Sequence, residues 1–119
     1  MQRDMDLIRE ILLQVEAYDK PHGAIPIRIE GYSKEATSYH IGLLIDAGYL
    51  AGYTSGGTRD THYAVRNLTW AGHEFLDAAR NETVWNSTKQ VVKEKGGAIP
   101  FDLLKDLLIK RTSAYFGLP

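Results

Sequence analysis

The chain has 119 residues, 44% of them apolar and 24% charged, which is the size and composition of one ordinary globular domain. Fourteen basic residues against fifteen acidic ones argue against strong non-specific nucleic-acid binding, without excluding a local basic patch. The absence of cysteine excludes disulfides and cysteine-ligated metal sites. No segment resembles a signal peptide or approaches the roughly 20 apolar residues of a membrane span. A cytoplasmic protein without membrane contact is therefore predicted.

The first predicted element is a helix that Asp4 caps and that ends near Tyr18, with apolar residues at helical spacing between them. A turn follows. Residues 24–29 are then predicted to form a short strand, because Pro26 disfavours helix and isoleucines alternate along the segment.

Ser33 is predicted to cap a second helix over residues 34–47, which ends at Gly48 because glycine adopts a left-handed backbone at little cost. The helix is predicted to bury four residues at helical spacing, namely Thr37, Ile41, Leu44 and Ala47. The pattern then changes to a period of two, which predicts strands at residues 49–54 and 61–65 with a hairpin tip at residues 55–57.

Three further helices are predicted. Thr69 caps the first, Asn81 caps the second, and the third covers residues 101–115. Trp70 and Trp85 lie on apolar helical faces and are predicted to be core. The last helix is apolar around more than one face, which predicts either that it closes the core or that part of it is a surface for a second copy or another protein. One domain is expected over residues 1–119, with a core at 1–80 and a helical extension at 81–119.

The order of helix, strand, helix, hairpin and helices is typical of a winged helix. Residues 38–50, Ser-Tyr-His-Ile-Gly-Leu-Leu-Ile-Asp-Ala-Gly-Tyr-Leu, resemble the recognition helix and first wing strand of bacterial winged-helix repressors. Residues 68–76, Leu-Thr-Trp-Ala-Gly-His-Glu-Phe-Leu, resemble the start of the helix after their wing. The resemblance implies an α+β winged helix, a variant of the winged helix-turn-helix, with additional C-terminal helices. One departure is that residues 24–32 look extended where those proteins have a short helix.

A wider resemblance is to an uncharacterised bacterial family found in phages and prophages, and it rests on residues 1–9, 39–40, 68–77 and 84–85. It implies a phage or prophage setting and supplies no catalytic residues. The winged-helix resemblance implies DNA binding, and together with the implied setting it leads us to expect a transcriptional regulator of a phage or prophage. A protein-interaction module with the same fold, binding a host or phage protein, is the alternative.

If the second helix enters a major groove, its predicted outward residues include Glu35 and Gly42. The residues predicted to contact DNA are Lys34, Ser38 and Tyr39 on this helix, Arg59 at the wing tip and Arg66 at the end of the wing. From residue 33 to residue 66, three basic residues stand against three acidic ones, so a monomer is expected to bind weakly. A homodimer through the C-terminal helices would double the contacts.

No enzymatic chemistry is predicted. The four histidines form no ligand pair at i, i+3 or i+4, and no phosphate-binding loop is present, so neither a metal nor a cofactor is expected. His40 is predicted to be a packed, hydrogen-bonded histidine.

Overall fold

A computed structural model describes residues 1–20, 23–56 and 61–119, and these contain five helices and a two-stranded antiparallel sheet. The elements in chain order are α1 (Met5–Ala17), α2 (Lys34–Asp46), β1 (Leu50–Ser55), β2 (His62–Leu68), α3 (Trp70–Ala79), α4 (Glu82–Glu94) and α5 (Phe101–Tyr115). The predicted α+β class is confirmed.

Four helices begin at the predicted capping residues, and in α3 the Thr69 hydroxyl accepts a hydrogen bond from the Gly72 amide at 3.0 Å. The Asp4 carboxylate accepts a hydrogen bond from the Leu7 amide at 3.1 Å, and the Ser33 hydroxyl accepts one from the Ala36 amide at 3.0 Å. The Asn81 side chain does the same for α4. Each cap satisfies a backbone N–H group that has no partner within the helix, which is why these residue types mark helix starts.

The strand predicted over residues 24–29 is wrong, because these described residues form neither helix nor strand. The Ile25 amide donates to the Val65 carbonyl at 2.9 Å, but Pro26 has no N–H group with which to extend such a ladder. The Gln14 side-chain amide then takes the place of a neighbouring strand. It donates to the Arg28 carbonyl at 3.0 Å and accepts from the Arg28 amide at 2.9 Å.

The chain divides into two compact units, Met1–His73 and Glu74–Pro119. In the first unit, the buried apolar residues lie mainly on α1, α2 and the hairpin, and they are Leu7, Ile8, Ile11, Leu12, Val15, Ile25, Ile29, Ile41, Leu44, Leu50, Val65 and Leu68. In the second unit, Trp85, Leu104 and Leu108 are buried, and the rings of Phe75 and Phe101 stack with centroids 4.7 Å apart. The single domain with a boundary at residue 80 stays a prediction.

Two burial predictions are wrong. Ala47 is exposed, because α2 ends at Asp46 and no further turn continues the buried stripe. Trp70 is 81% exposed, although Trp85 is buried as predicted. At 3.6 residues per turn, Trp70 points away from the side of α3 that buries Phe75 and Ala79. In the described ranges, no helix is both long and apolar enough to span a membrane.

Candidate nucleic-acid interface

His40 anchors α2 against the start of α1. Its side chain is 1% exposed, and both ring nitrogens have partners. Nδ1 lies 2.7 Å from the Ala36 carbonyl, and Nε2 accepts a hydrogen bond from the Asp4 amide at 2.8 Å. Because a carbonyl oxygen can only accept, Nδ1 must carry the proton and Nε2 must accept. The predicted packed, hydrogen-bonded histidine is confirmed, and it holds the back of α2 in one position.

The opposite side of α2 presents polar groups to solvent. Lys34 and Glu35 are exposed in its first turn, Ser38 is half-buried, and Tyr39 is 42% exposed with its ring edge-on to His40. Within the described residues, the polar groups of these four side chains have no hydrogen-bond or ion-pair partner. They are therefore available to an external ligand. Three of them, Lys34, Ser38 and Tyr39, were predicted as DNA contacts.

Gly42 is not outward-facing, and that prediction is wrong. It is buried, and a Cβ atom built at this position would lie 2.5 Å from Cζ of Tyr63 on β2. On the face of α2 that carries Gly42, the Tyr63 ring therefore covers the middle of the helix, and the first two turns stay open. Glycine inside a helix costs about 1 kcal/mol relative to alanine, so an interior glycine is the sequence signal that could have indicated this close approach.

The hairpin also packs closely on α2. A Cβ atom at Gly52 on β1 would overlap the Ala64 carbonyl and lie 3.1 Å from Cδ1 of Ile45. The strand partners change from Ala51 with Asn67 to Gly52 with Val65, so Arg66 is the extra residue of a bulge. The Arg66 side chain is exposed, as a phosphate contact requires. Arg59, the predicted wing-tip contact, lies outside the described residues.

Three carboxylates influence the hydroxyl of Tyr32, the residue before the α2 cap. Burial raises the pKa of the Tyr32 hydroxyl, and the charge of Asp4 and a hydrogen bond to it raise that pKa further, with smaller effects from Asp6 and Glu10. These three carboxylates place negative charge near Tyr32, two residues before α2 begins. Residues 1–73 contain seven basic and nine acidic residues. Phosphate contacts on α2 would therefore depend on Lys34.

Lys34, Glu35, Ser38 and Tyr39 therefore form a polar, solvent-accessible surface on the first two turns of α2. In the described ranges, no three histidine, aspartate or glutamate side chains are grouped so that they could hold a metal ion.

Residues 2–98 match the family described as "Hypothetical protein (DUF2513)". The chain belongs to the DUF2513 family. A protein of Haemophilus influenzae described as "Uncharacterized protein" is 39% identical over 108 residues, which cover 90% of this chain and 92% of that protein. No solved structure matches the chain. The expected membership of an uncharacterised family is confirmed for this DUF2513 protein.

Proposed function

We propose that this DUF2513 protein is a winged-helix protein that binds duplex DNA with α2 and the hairpin. The observation that carries the proposal is the set of unpartnered polar groups on the first two turns of α2, whose opposite side is fixed by His40. In winged-helix and related proteins, the N-terminal residues of the recognition helix contact base edges in the major groove. The protein would act by binding rather than by catalysis.

The hairpin supports the same proposal through its place in the chain. Gly48 ends α2 with φ at 84°, and β1 begins two residues later, so the helix and the hairpin are joined with little freedom. The close packing at Gly42 and Gly52 holds the two elements together. A rigid helix with a strand pair beside it can contact a groove and the adjoining phosphates at the same time. Arg66 would supply the phosphate contact from the hairpin.

The proposed setting is the cytoplasm of a bacterium or of a phage-infected bacterial cell, with a role in regulating transcription. The resemblance to a family found in phages and prophages supports a phage or prophage regulator. No catalytic group, metal or cofactor is part of the proposal.

The salt dependence of DNA binding tests this function. Each phosphate neutralised contributes about −0.9 to the slope of log K against log salt concentration. We expect the intact protein to bind a random-sequence duplex at low salt, and Lys34→Ala and Arg66→Ala each to flatten the slope by about 1. Fluorescence anisotropy of a labelled duplex measures the slope. Lys110→Ala, at an exposed lysine of α5, is the matched control and should leave the slope unchanged.

Absence of binding at low salt, where non-specific electrostatic affinity is strongest, would refute the proposal. If all three variants bind with equal slopes, the protein still binds DNA, but the surface that contacts DNA lies outside α2 and the hairpin.

A protein-interaction module is the second candidate, favoured by the apolar surface of α5 and the turn after it. Leu103 and Ile109 are 56% and 50% exposed, and Tyr115, Phe116 and Leu118 are 55%, 67% and 61% exposed. The turn closes α5 with a hydrogen bond of its own, since the Leu118 amide donates to the Ser113 carbonyl at 2.9 Å and Gly117 has φ at 72°. A group of exposed apolar side chains on neighbouring elements is typical of an interface with a second copy or another protein.

For the homodimer form of this candidate, we expect sedimentation equilibrium to show dimers of the intact protein. The double substitution Leu103→Ser and Ile109→Ser should shift the population to monomers, because it removes apolar area that an interface would bury. A double substitution of two exposed polar residues, Asp106→Ser and Lys110→Ser, is the control on the same helix. A monomeric intact protein would exclude the dimer. A host or phage protein would then be the remaining partner for this surface.

A further inference from the structure

We infer that Glu35 selects the DNA sequence by accepting a hydrogen bond from the exocyclic amino group of a cytosine in the major groove. The inference rests on the proposed function, because it requires α2 to enter a groove. It assigns a role to an acidic residue that otherwise weakens the approach of α2 to DNA.

The position of Glu35 on α2 is the first argument. Ser38 and Tyr39 follow it by three and four residues, so all three lie on one face of the helix. The next residue on that face is Gly42, which the ring of Tyr63 covers. On this face, the first two turns of α2 are therefore the part that can approach base edges, and Glu35 is the acidic residue of those turns.

The second argument is the exposure of the Glu35 carboxylate. Its side chain is exposed and has no hydrogen-bond or ion-pair partner among the described residues. An unpaired carboxylate that approaches DNA is repelled by the phosphates unless it meets a hydrogen-bond donor. Lys34, the adjacent residue, offers a positive charge for the phosphate backbone at the helix start.

The major groove offers a carboxylate a small choice of donors. Cytosine presents its N4 amino group there, whereas guanine presents the acceptors N7 and O6, and thymine presents the acceptor O4. Adenine presents an amino group beside the acceptor N7, which repels a second carboxylate oxygen. A glutamate in this position therefore favours cytosine and disfavours the other bases. The same charge that lowers non-specific affinity raises the discrimination between sequences.

Glu35 also has a structural role that must be separated from base recognition. A carboxylate in the first turn interacts favourably with the positive end of the helix dipole. This role predicts a change in thermal stability when Glu35 is replaced, but no change in the preferred base. The base preference is therefore the informative measurement.

The test is a selection of bound sequences from a library of random duplexes, performed with the intact protein and with Glu35→Gln and Asp46→Asn. We expect the intact protein to enrich cytosine at one position. Glutamine pairs with the N6 and N7 positions of adenine, so Glu35→Gln should change the preferred base there from cytosine to adenine, with a preference ratio altered by about tenfold or more. Asp46→Asn removes an exposed carboxylate at the far end of α2, beyond Gly42, and should leave the selected sequence unchanged.

The outcomes separate the inference from the proposed function. Identical selected sequences for the intact protein and Glu35→Gln, or binding without any base preference, would overturn the role of Glu35 and leave DNA binding intact. A library from which neither protein binds any duplex would overturn both. Circular dichroism of each variant shows that a changed preference does not come from loss of folding.

Discussion

Trp85→Ala is expected to destabilise the protein by about 3–5 kcal/mol, whereas Trp70→Ala should change the free energy of unfolding by less than about 0.5 kcal/mol. The two tryptophans are chemically identical, but Trp85 is 2% exposed and Trp70 is 81% exposed. Removal of the buried indole leaves a cavity that the neighbouring side chains fill only in part. Since small domains have total stabilities of about 5–15 kcal/mol, the Trp85 variant would lose a large part of its stability.

Urea unfolding followed by far-ultraviolet circular dichroism measures both variants without relying on tryptophan fluorescence. Trp85→Phe should recover part of the loss, because a smaller aromatic ring refills some of the cavity. Equal destabilisation by Trp70→Ala and Trp85→Ala would contradict the exposure of Trp70.

The helix starts could be predicted from the sequence because their causes are local. Asp4, Ser33 and Asn81 each satisfy a backbone amide three residues away, so the relevant partners are adjacent in the chain. The end of α2 follows the same logic, since Gly48 adopts a positive φ in the turn after the helix. These features depend on a few neighbouring residues and on no other part of the fold.

It was harder to predict from the sequence which face of a helix contacts the rest of the protein. The apolar residues of α3 are compatible with more than one buried face. Trp70 was predicted to be core, whereas the structure exposes it on the side of the helix opposite Ala79. The deciding contact is the approach of Gly72 to the Tyr49 carbonyl, which joins segments more than 20 residues apart. Hydropathy does not encode such an approach.

The candidate site shows the same division between local and tertiary causes. The exposed polar start of α2 was predictable from helical spacing, and Lys34, Ser38 and Tyr39 are on it. The position at which that surface ends could not be predicted, because the ring of Tyr63 on β2 determines it. His40 lies between the two cases. Its burial was predicted from its place beside the apolar stripe, but the amide of Asp4 as its partner follows only from the packing of α1.

For Gly72→Ala, helix propensity and tertiary packing predict changes of opposite sign in the free energy of unfolding. Alanine in place of glycine within a helix gains about 1 kcal/mol from propensity. In this structure, a Cβ atom at Gly72 would overlap the Tyr49 carbonyl oxygen and lie 3.4 Å from Cβ of Leu68. Overpacking of this kind typically costs about 1–3 kcal/mol, so we expect a net loss of stability.

The Tyr49 carbonyl cannot easily move away from the new methyl group. Its oxygen accepts a hydrogen bond from the Thr69 amide at 3.2 Å, and the Tyr49 amide donates to the Leu44 carbonyl at 2.9 Å. The Thr69 hydroxyl donates to the Gly48 carbonyl at 2.6 Å and accepts from the Gly72 amide at 3.0 Å, which fixes the start of α3 against the same turn. Both sides of the contact are therefore held by hydrogen bonds that a shift would break.

Thermal and urea unfolding of Gly72→Ala, beside His73→Ala as the control, distinguishes the two effects. His73 is the adjacent exposed residue of α3, so its replacement changes helix propensity without adding an atom to the contact. We expect Gly72→Ala to be less stable than the intact protein and His73→Ala to be nearly unchanged or slightly more stable. A stabilised Gly72→Ala variant would show that the start of α3 is not held against Tyr49. The hairpin that carries Arg66 would then lack this support, because α3 begins directly after β2.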